Sequence, residues 1–313
     1  MTKNATKGWM AALLVTVIWG VTGIVSKPLS MAVDSMTLVF FRYVTAFIGL
    51  FVIFLLTHKK TGWNEELGSS LKIDKKDILL IAFTGIVGQG CFSLFNFLSL
   101  AHIGATENQV VQGMQPFATV IFGILFMNYK MSKVQWGAFI VSAICIYALS
   151  TGPINKVEGG TPWLGFLYVT LSMLSLAWTA YLRDKLATKY GSVVAMFYQY
   201  IAVAVAGLVA VFMLDLDLGQ IKIIFNSPLL LSLLIFLGMG ISGASYVVQL
   251  YSFKHIGVEN STMVLNLMPL VGYVVAVLTL GEEVHILKSI IIGIIVVSLY
   301  FFTKYANKEK NKL

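Results

Sequence analysis

The chain has 313 residues, 58% hydrophobic and 12% charged, with a formal net charge of +8 and a mean hydropathy of +0.85. Soluble domains carry about 25% charged residues, so this composition excludes a cytosolic enzyme, a disordered tail and a secreted disulfide scaffold. Cys91 and Cys145 lie in apolar runs and give neither metal-ligand spacing nor a disulfide framework. The basic residues stand between apolar segments rather than on one folded face, which argues against nucleic acid as a partner.

A bilayer crossing takes about 20 apolar residues. Ten apolar segments follow one another near 9–26, 36–57, 78–100, 105–127, 134–151, 163–182, 192–213, 229–252, 258–280 and 286–303. The expected fold is an all-α integral membrane protein with ten transmembrane helices. The first segment has no small-residue cleavage site before Lys27 and nine more follow, so it is expected to be retained. Of the longer breaks, 58–77 is charged and polar, and 152–162 carries Pro153, Gly159, Gly160 and Pro162. The second is the expected linker between two halves, 8–152 and 163–305. Trp63, Trp136 and Trp163 fall near segment ends, as interface anchors do.

With ten spans both termini share a side. That side collects 17 of the lysines and arginines, against four on the other (Lys27, Lys156, Lys222 and Lys288), with Arg42 inside a span. The positive-inside rule therefore places both termini in the cytoplasm.

The chain also repeats itself. His102-Ile103-Gly104 recurs as His255-Ile256-Gly257, a shift of 153, and at the same shift Ser99 meets Ser252, Asn96 meets Gln249 and Pro116 meets Pro269. Ser35, Phe40 and Tyr43 meet Ser192, Phe197 and Tyr200 at a shift of 157, and Trp19 meets Trp178. Five spans per half is an odd number, so the halves are expected to be inverted repeats in the membrane. Many secondary transporters are built this way and alternate access around a midplane site.

Polar residues inside the spans are the candidate site. Gln89, Ser93 and Asn96 recur at helical spacing in the third segment; Ser242, Ser245, Tyr246, Gln249 and Ser252 do so in the eighth. Such stripes face the bundle interior, either lining a polar cavity or bonding helix to helix. Gln112 and Asn266 lie mid-span near Pro116 and Pro269, which either free a carbonyl of the previous turn as an acceptor for a ligand or simply kink the helices. Trp19, Phe92, Trp178, Tyr181, Tyr198 and Tyr246 put rings at or near mid-depth, where they could hold an ammonium or pack helices together. Three ionisable residues are assigned to the spans: Arg42, Glu107 and Glu259. The two glutamates fall in first helical turns, where the helix dipole favours an anion; as coupling or gating groups they could instead accept a proton. Arg42 could pair with Glu107 or meet a substrate carboxylate. His102 and His255 sit in loops, with turn formation set against proton coupling.

Several short stretches resemble one family: Ile18-Trp19-Gly20, Phe41-Arg42 with Ala46, Ser99-Leu100-Ala101 running through Ala105 to Pro116-Phe117, and Leu280-Gly281-Glu282. In order and spacing they are similar to the EamA branch of the drug/metabolite transporter superfamily. Asn128-Tyr129 departs from the Gly-Glu pair expected there, so no acidic role carries over to it. The resemblance implies a plasma-membrane carrier of small metabolites, without naming the solute.

The function expected is a secondary, non-ATP transporter of small organic metabolites, with amino acids or related amines favoured. The substrate-binding set is Trp19, Phe92, Asn96, Gln112, Trp178, Tyr181, Tyr246, Gln249 and Asn266. No cofactor or metal is expected, and the partners are the solute, the lipid bilayer and a proton if transport is coupled, in a monomer or homodimer. The alternatives are a channel or facilitator for small polar solutes, or a membrane-embedded enzyme. The enzyme lacks a reactive constellation here, with four scattered histidines and no acidic cluster in the spans. No Gly-rich run followed by Gly-Lys-Ser/Thr supports an ATP-driven pump.

Overall fold

Apolar runs become helices because lipid offers the backbone no hydrogen-bonding partner. The structure, a computed structural model, describes residues 3–57, 68, 70–127, 130–151 and 157–310; the side chains of a few helix-end residues, Glu259 among them, lie outside the described set. Most of 58–69, including Trp63, lies outside it too, as do Asn128-Tyr129 and the first part of the linker at 152–162.

Among the described residues nine helices are long and apolar enough to cross a membrane. They are Ala5–Ala32, Ser35–Leu56, Lys75–Leu100, Ala105–Phe126, Lys133–Ser150, Ser192–Met213, Pro228–Gly257, Asn260–Leu280 and Ile286–Tyr305. The expected crossing near 163–182 is a bent pair, Pro162–Trp178 and Ala180–Tyr190, at 42°. The bend falls at Thr179, whose hydroxyl turns back onto the Ser175 and Leu176 carbonyls at 3.4 and 3.3 Å, a bond known to bend helices. Counting the pair as one crossing gives ten. The first span runs past its apolar segment, through Lys27 and Pro28.

The third and eighth spans each contain a π-helical stretch, Thr84–Gly90 and Phe236–Ala244. These wider turns alter the face that a strict α-helical spacing predicts for Gln89 and Ser242. Glycines let them press on a neighbouring backbone. A Cβ on Gly85 would lie 2.7 Å from the Gln199 carbonyl oxygen, and one on Gly238 2.9 Å from that of Arg42.

The fourth and ninth spans break at matched points. Ala105–Gln112 gives way to Gln115–Met127, and Ser245–Leu265 to Met268–Leu280. Pro116 and Pro269 cause this, since each lacks an N–H and its ring crowds the carbonyl four residues back. The same turn spans both breaks: Met114 N–H donates to Val111 O and Leu267 N–H to Val264 O, each at 3.0 Å. Within the second His-Ile-Gly, Gly257 stands at φ 80°, a backbone that glycine adopts without strain, and there the eighth span ends.

The chain packs as two compact units, each drawing on both sequence halves. The first comprises 1–24, 99–173 and 248–313; the second comprises 25–98 and 174–247. In the first, Ala138, Cys145 and Leu149 of the fifth span share a core with Ile291, Ile292, Ile295 and Leu299 of the tenth, and the Phe117 and Phe302 rings lie 4.2 Å apart. In the second, the second and seventh spans meet at Tyr43 and Tyr200, ring centroids 5.0 Å apart.

Candidate functional site

The first unit holds a cavity of about 380 Å³ built around the two proline breaks, within the usual size range for small-molecule sites. The breaks touch: a Cβ on Gly113 would lie 2.5 Å from the Pro269 ring. From one break come Gln112, Gln115 and Pro116; from the other come Leu265, Asn266 and Met268, with Trp19, Gln249, Phe302 and Thr303 completing most of the lining. None of the described residues that line the cavity is charged. Its amides divide into two kinds. Gln112 donates Nε2 to the Ser172 hydroxyl at 3.0 Å, and Asn266 donates Nδ2 to the Leu299 carbonyl at 3.2 Å and the Thr303 hydroxyl at 3.0 Å. Gln115 and Gln249 make no side-chain hydrogen bond among the described residues, so both have donors and acceptors to give.

Of the residues expected to bind substrate, Trp19, Gln112, Gln249 and Asn266 line this cavity. Phe92, Asn96, Trp178, Tyr181 and Tyr246 belong to the second unit. There Asn96 is buried, while Trp178 and Tyr181 are exposed. The polar stripe of the third span is partly spent on its neighbour: Tyr43 donates its hydroxyl to the Gln89 carbonyl at 2.7 Å and meets the Ser93 hydroxyl at 2.7 Å. The repeat-related Tyr200 donates to the Ser242 carbonyl, also at 2.7 Å.

Glu107, in the first turn of the fourth span, is buried and ion-paired with Lys288 at 2.8 Å; the same ammonium lies 3.2 Å from Glu282. Burial works against the Glu282 charge, but Lys288 and the Thr106 N–H outweigh it and hold its carboxyl below the ordinary range. This corrects two sequence expectations. Lys288, counted as a loop charge, is a buried residue of the tenth helix, 2% exposed. Glu107 pairs with Lys288 in place of Arg42, whose Nε donates to the Ser242 hydroxyl at 3.1 Å. His102 sits in a turn as expected and accepts the Thr161 N–H at 3.2 Å, whereas His255 is helical, against the Tyr251 ring at 4.3 Å. The side chain of Glu259 lies outside the described residues.

The substrate set expected from the sequence left out Gln115, Phe302 and Thr303 of the cavity, and nothing in the sequence put Lys288 and Glu282 beside Glu107. Gln115 carried a signal, being i+3 from Gln112 and next to a proline. Lys288 carried none, because its partners are brought to it only by folding.

A family model described as the EamA-like transporter family matches residues 6–151 and, separately, 163–304. An uncharacterized inner membrane transporter of Escherichia coli (strain K12), YhbE, is 26% identical over 139 residues, 43% of this chain and 40% of that protein. An uncharacterized transporter of Vibrio cholerae serotype O1 is 26% identical over 142 residues, 45% of each chain. The matched stretch thus spans less than half the length of these curated relatives. A protein of known crystal structure, 14% identical, superposes with a TM-score of 0.64 over 97% of both chains and shares the fold. With the family model covering both halves and helices long enough to cross a membrane throughout, the chain belongs to the EamA-like transporter family.

Proposed function

We propose that this protein carries amino acids or related amines across the inner membrane by alternating access, without ATP. The observation that carries the substrate class is the uncharged cavity at the proline breaks, where Gln115 and Gln249 stand uncommitted beside the apolar Trp19 and Phe302. A solute with polar and apolar parts suits that lining. A phosphate or dicarboxylate calls for several convergent basic groups, and the described residues of the lining include none. The two family matches at 6–151 and 163–304, the paired π-helical stretches and the paired proline breaks support two five-span repeats of opposite orientation. In this reading the halves, 8–152 and 163–305, rock about the site, and both termini face the cytoplasm.

Glu107 is the coupling group of the proposal. Two carboxylates share the Lys288 ammonium, so one proton can be taken up while Lys288 keeps a carboxylate partner. Arg42 and Glu259 stand as the other candidate gating residues.

A thermal-shift screen of the purified protein against amino acids, amines and sugars tests the substrate class, since a bound ligand raises apparent stability with the logarithm of its concentration over its Kd. Stabilisation by amino acids or amines is expected. Tight binding of a multiply charged anion, with no response to either class, removes the reading. Uptake into proteoliposomes with and without a pH gradient then tests coupling: a gradient should drive uptake by wild type and not by Glu107→Gln.

A further inference from the structure

Among the described residues, two arginines of the second unit have no acid paired with them. Arg42 is 4% exposed; beyond its bond to Ser242, its terminal Nη1 is buried without a hydrogen-bond partner. The rings of Tyr43, Phe92 and Phe97 surround its guanidinium at 5.7–5.9 Å, fixing the group by cation–π contact without neutralising it. Arg183 donates Nη2 at 3.0 Å to the Leu176 carbonyl at the Thr179 bend, and its buried Nε has no partner. Both guanidiniums lie in electrostatic reach of Tyr43 and Tyr200, and Arg183 of Tyr246 also. The Tyr43 and Tyr200 hydroxyls already serve backbone carbonyls, so neither phenol acts as a counter-ion. Among the described residues, ion pairs join Lys189 to Asp74 and Asp77 and Lys288 to Glu107 and Glu282, the Glu283 carboxylate lies 3.3 Å from the His285 ring, and no acid pairs with either arginine.

Packing does not require the charge at position 42. At the shift of 157 its counterpart is Gln199, 1% exposed, which bonds the Thr84 hydroxyl at 3.1 Å. Gln199 backs the Gly85 crossing as Arg42 backs the Gly238 crossing. A neutral amide therefore does the same structural work. At the shift that pairs Trp19 with Trp178, the counterpart of Arg183 is the apolar Ile24. Buried cations inside a membrane protein are costly unless an anion or backbone carbonyls offset them, and one buried nitrogen of each guanidinium is left without a hydrogen bond.

We infer that Arg42 and Arg183 supply an anion site within the second unit that takes a carboxylate. Guanidinium groups suit this ligand, whose two oxygens they can bond in one plane. The inference rests on the amino-acid reading above for the choice of probes, though not for the anion chemistry.

The test is binding to the purified full chain, with leucine, phenylalanine, serine and lysine, their amides, their decarboxylated amines and their 2-oxo acids as probes. Wild type should bind at least one amino acid ten-fold or more tightly than its amide and its amine. Arg42→Gln and Arg183→Gln should each erase that preference, while Arg42→Lys and Arg183→Lys retain part of it. Melting temperature and elution profile identify any variant that has failed to fold, and the lysine variants then carry the comparison. An amide or amine that binds as tightly as its acid overturns the anion site and leaves the amine reading standing. If no amino acid binds but a 2-oxo acid does, and the glutamine variants lose it, the amino-acid reading fails and the anion site stands. Silence from every carboxylate overturns the site.

Discussion

The Lys288 ammonium lies 2.8 Å from the Glu107 carboxylate, with each side chain 1% exposed. Glu282 adds a second carboxylate at 3.2 Å, and the Tyr273 ring faces the ammonium at 5.6 Å. Breaking such a buried cluster from one side leaves charge uncompensated, at a cost of about 3–5 kcal/mol. Lys288→Met should therefore lower the melting temperature sharply, since it strands two acids. Adding Glu107→Gln to it should recover part of the loss, and a melting series on the single and double variants reads the coupling.

Acid should weaken the same cluster. Glu282 lies between the ninth and tenth spans, and its carboxyl is held below the ordinary range by Lys288 and the Thr106 N–H. A folded value below the unfolded one means that the folded protein binds the proton less readily. The stability this contributes is complete above the ordinary glutamate value of about 4.3 and drains away as pH falls through the lowered one. Melting temperature should thus fall on acidification in that window, and Glu282→Gln should flatten the fall. An unchanged slope would show that Glu282 gains no charge stabilisation from Lys288.

Two amides of the first unit's cavity should separate binding from stability. Asn266 is 4% exposed and bonded to Leu299 and Thr303, so Asn266→Ala should cost about 1–3 kcal/mol of stability as well as affinity. Gln249 makes no side-chain bond among the described residues, so Gln249→Ala should spare the melting temperature while weakening substrate binding by about 1–3 kcal/mol. Parallel melting and binding curves check this. Unchanged binding in a folded Gln249→Ala moves the site elsewhere.

The sequence revealed the spans because each is a run of apolar residues, and it revealed the proline breaks because Pro116 and Pro269 interrupt two of those runs. It did not reveal the π-helical stretches, since a polar stripe read at α-helical spacing assumes the turn that Gly85, Gly88 and Gly90 allow the backbone to leave. Nor did it place Lys288. A lysine just inside a helix start has the same local sequence whether it faces water or a buried glutamate from a distant span. Of nine residues expected at the substrate, four line the cavity, and those four come from the first, fourth, eighth and ninth spans, joined by packing rather than by sequence distance. Arg183 was read as a topology charge because it follows an apolar run, whereas the Thr179 bend brings it back to the Leu176 carbonyl.

The paired glycine crossings should be equally intolerant of side chains. A Cβ on Gly85 would sit 2.7 Å from the Gln199 carbonyl oxygen and one on Gly238 2.6 Å from the Thr45 Cβ, both closer than a Cβ can approach without something shifting. Overpacking of this kind costs about 1–3 kcal/mol. Gly85→Ala and Gly238→Ala should each lower thermal stability by a similar amount, whereas Gly137→Ala, with nothing within 4 Å, should not. A Gly238→Ala that melts like wild type would mean the second and eighth spans are not held this close.

Topology supplies the last prediction. If both termini face the cytoplasm, the segment entering the third span lies inside, and that segment is anchored there: Lys189 bridges Asp74 and Asp77 at 2.5 and 2.6 Å, and Tyr198 donates its hydroxyl to the Leu71 carbonyl. The Lys189 ammonium holds the Asp74 carboxyl below its ordinary range, although exposed pairs of this kind add little stability. The linker side is opposite, with Glu158 and Gly159 in an exposed turn. In a background with Cys91 and Cys145 replaced by alanine, Glu158→Cys should react with an impermeant maleimide added to intact cells, and Lys72→Cys should react only after permeabilisation. Labelling in the reverse pattern would invert the topology and reverse the side assigned to Glu107 in the proposed coupling.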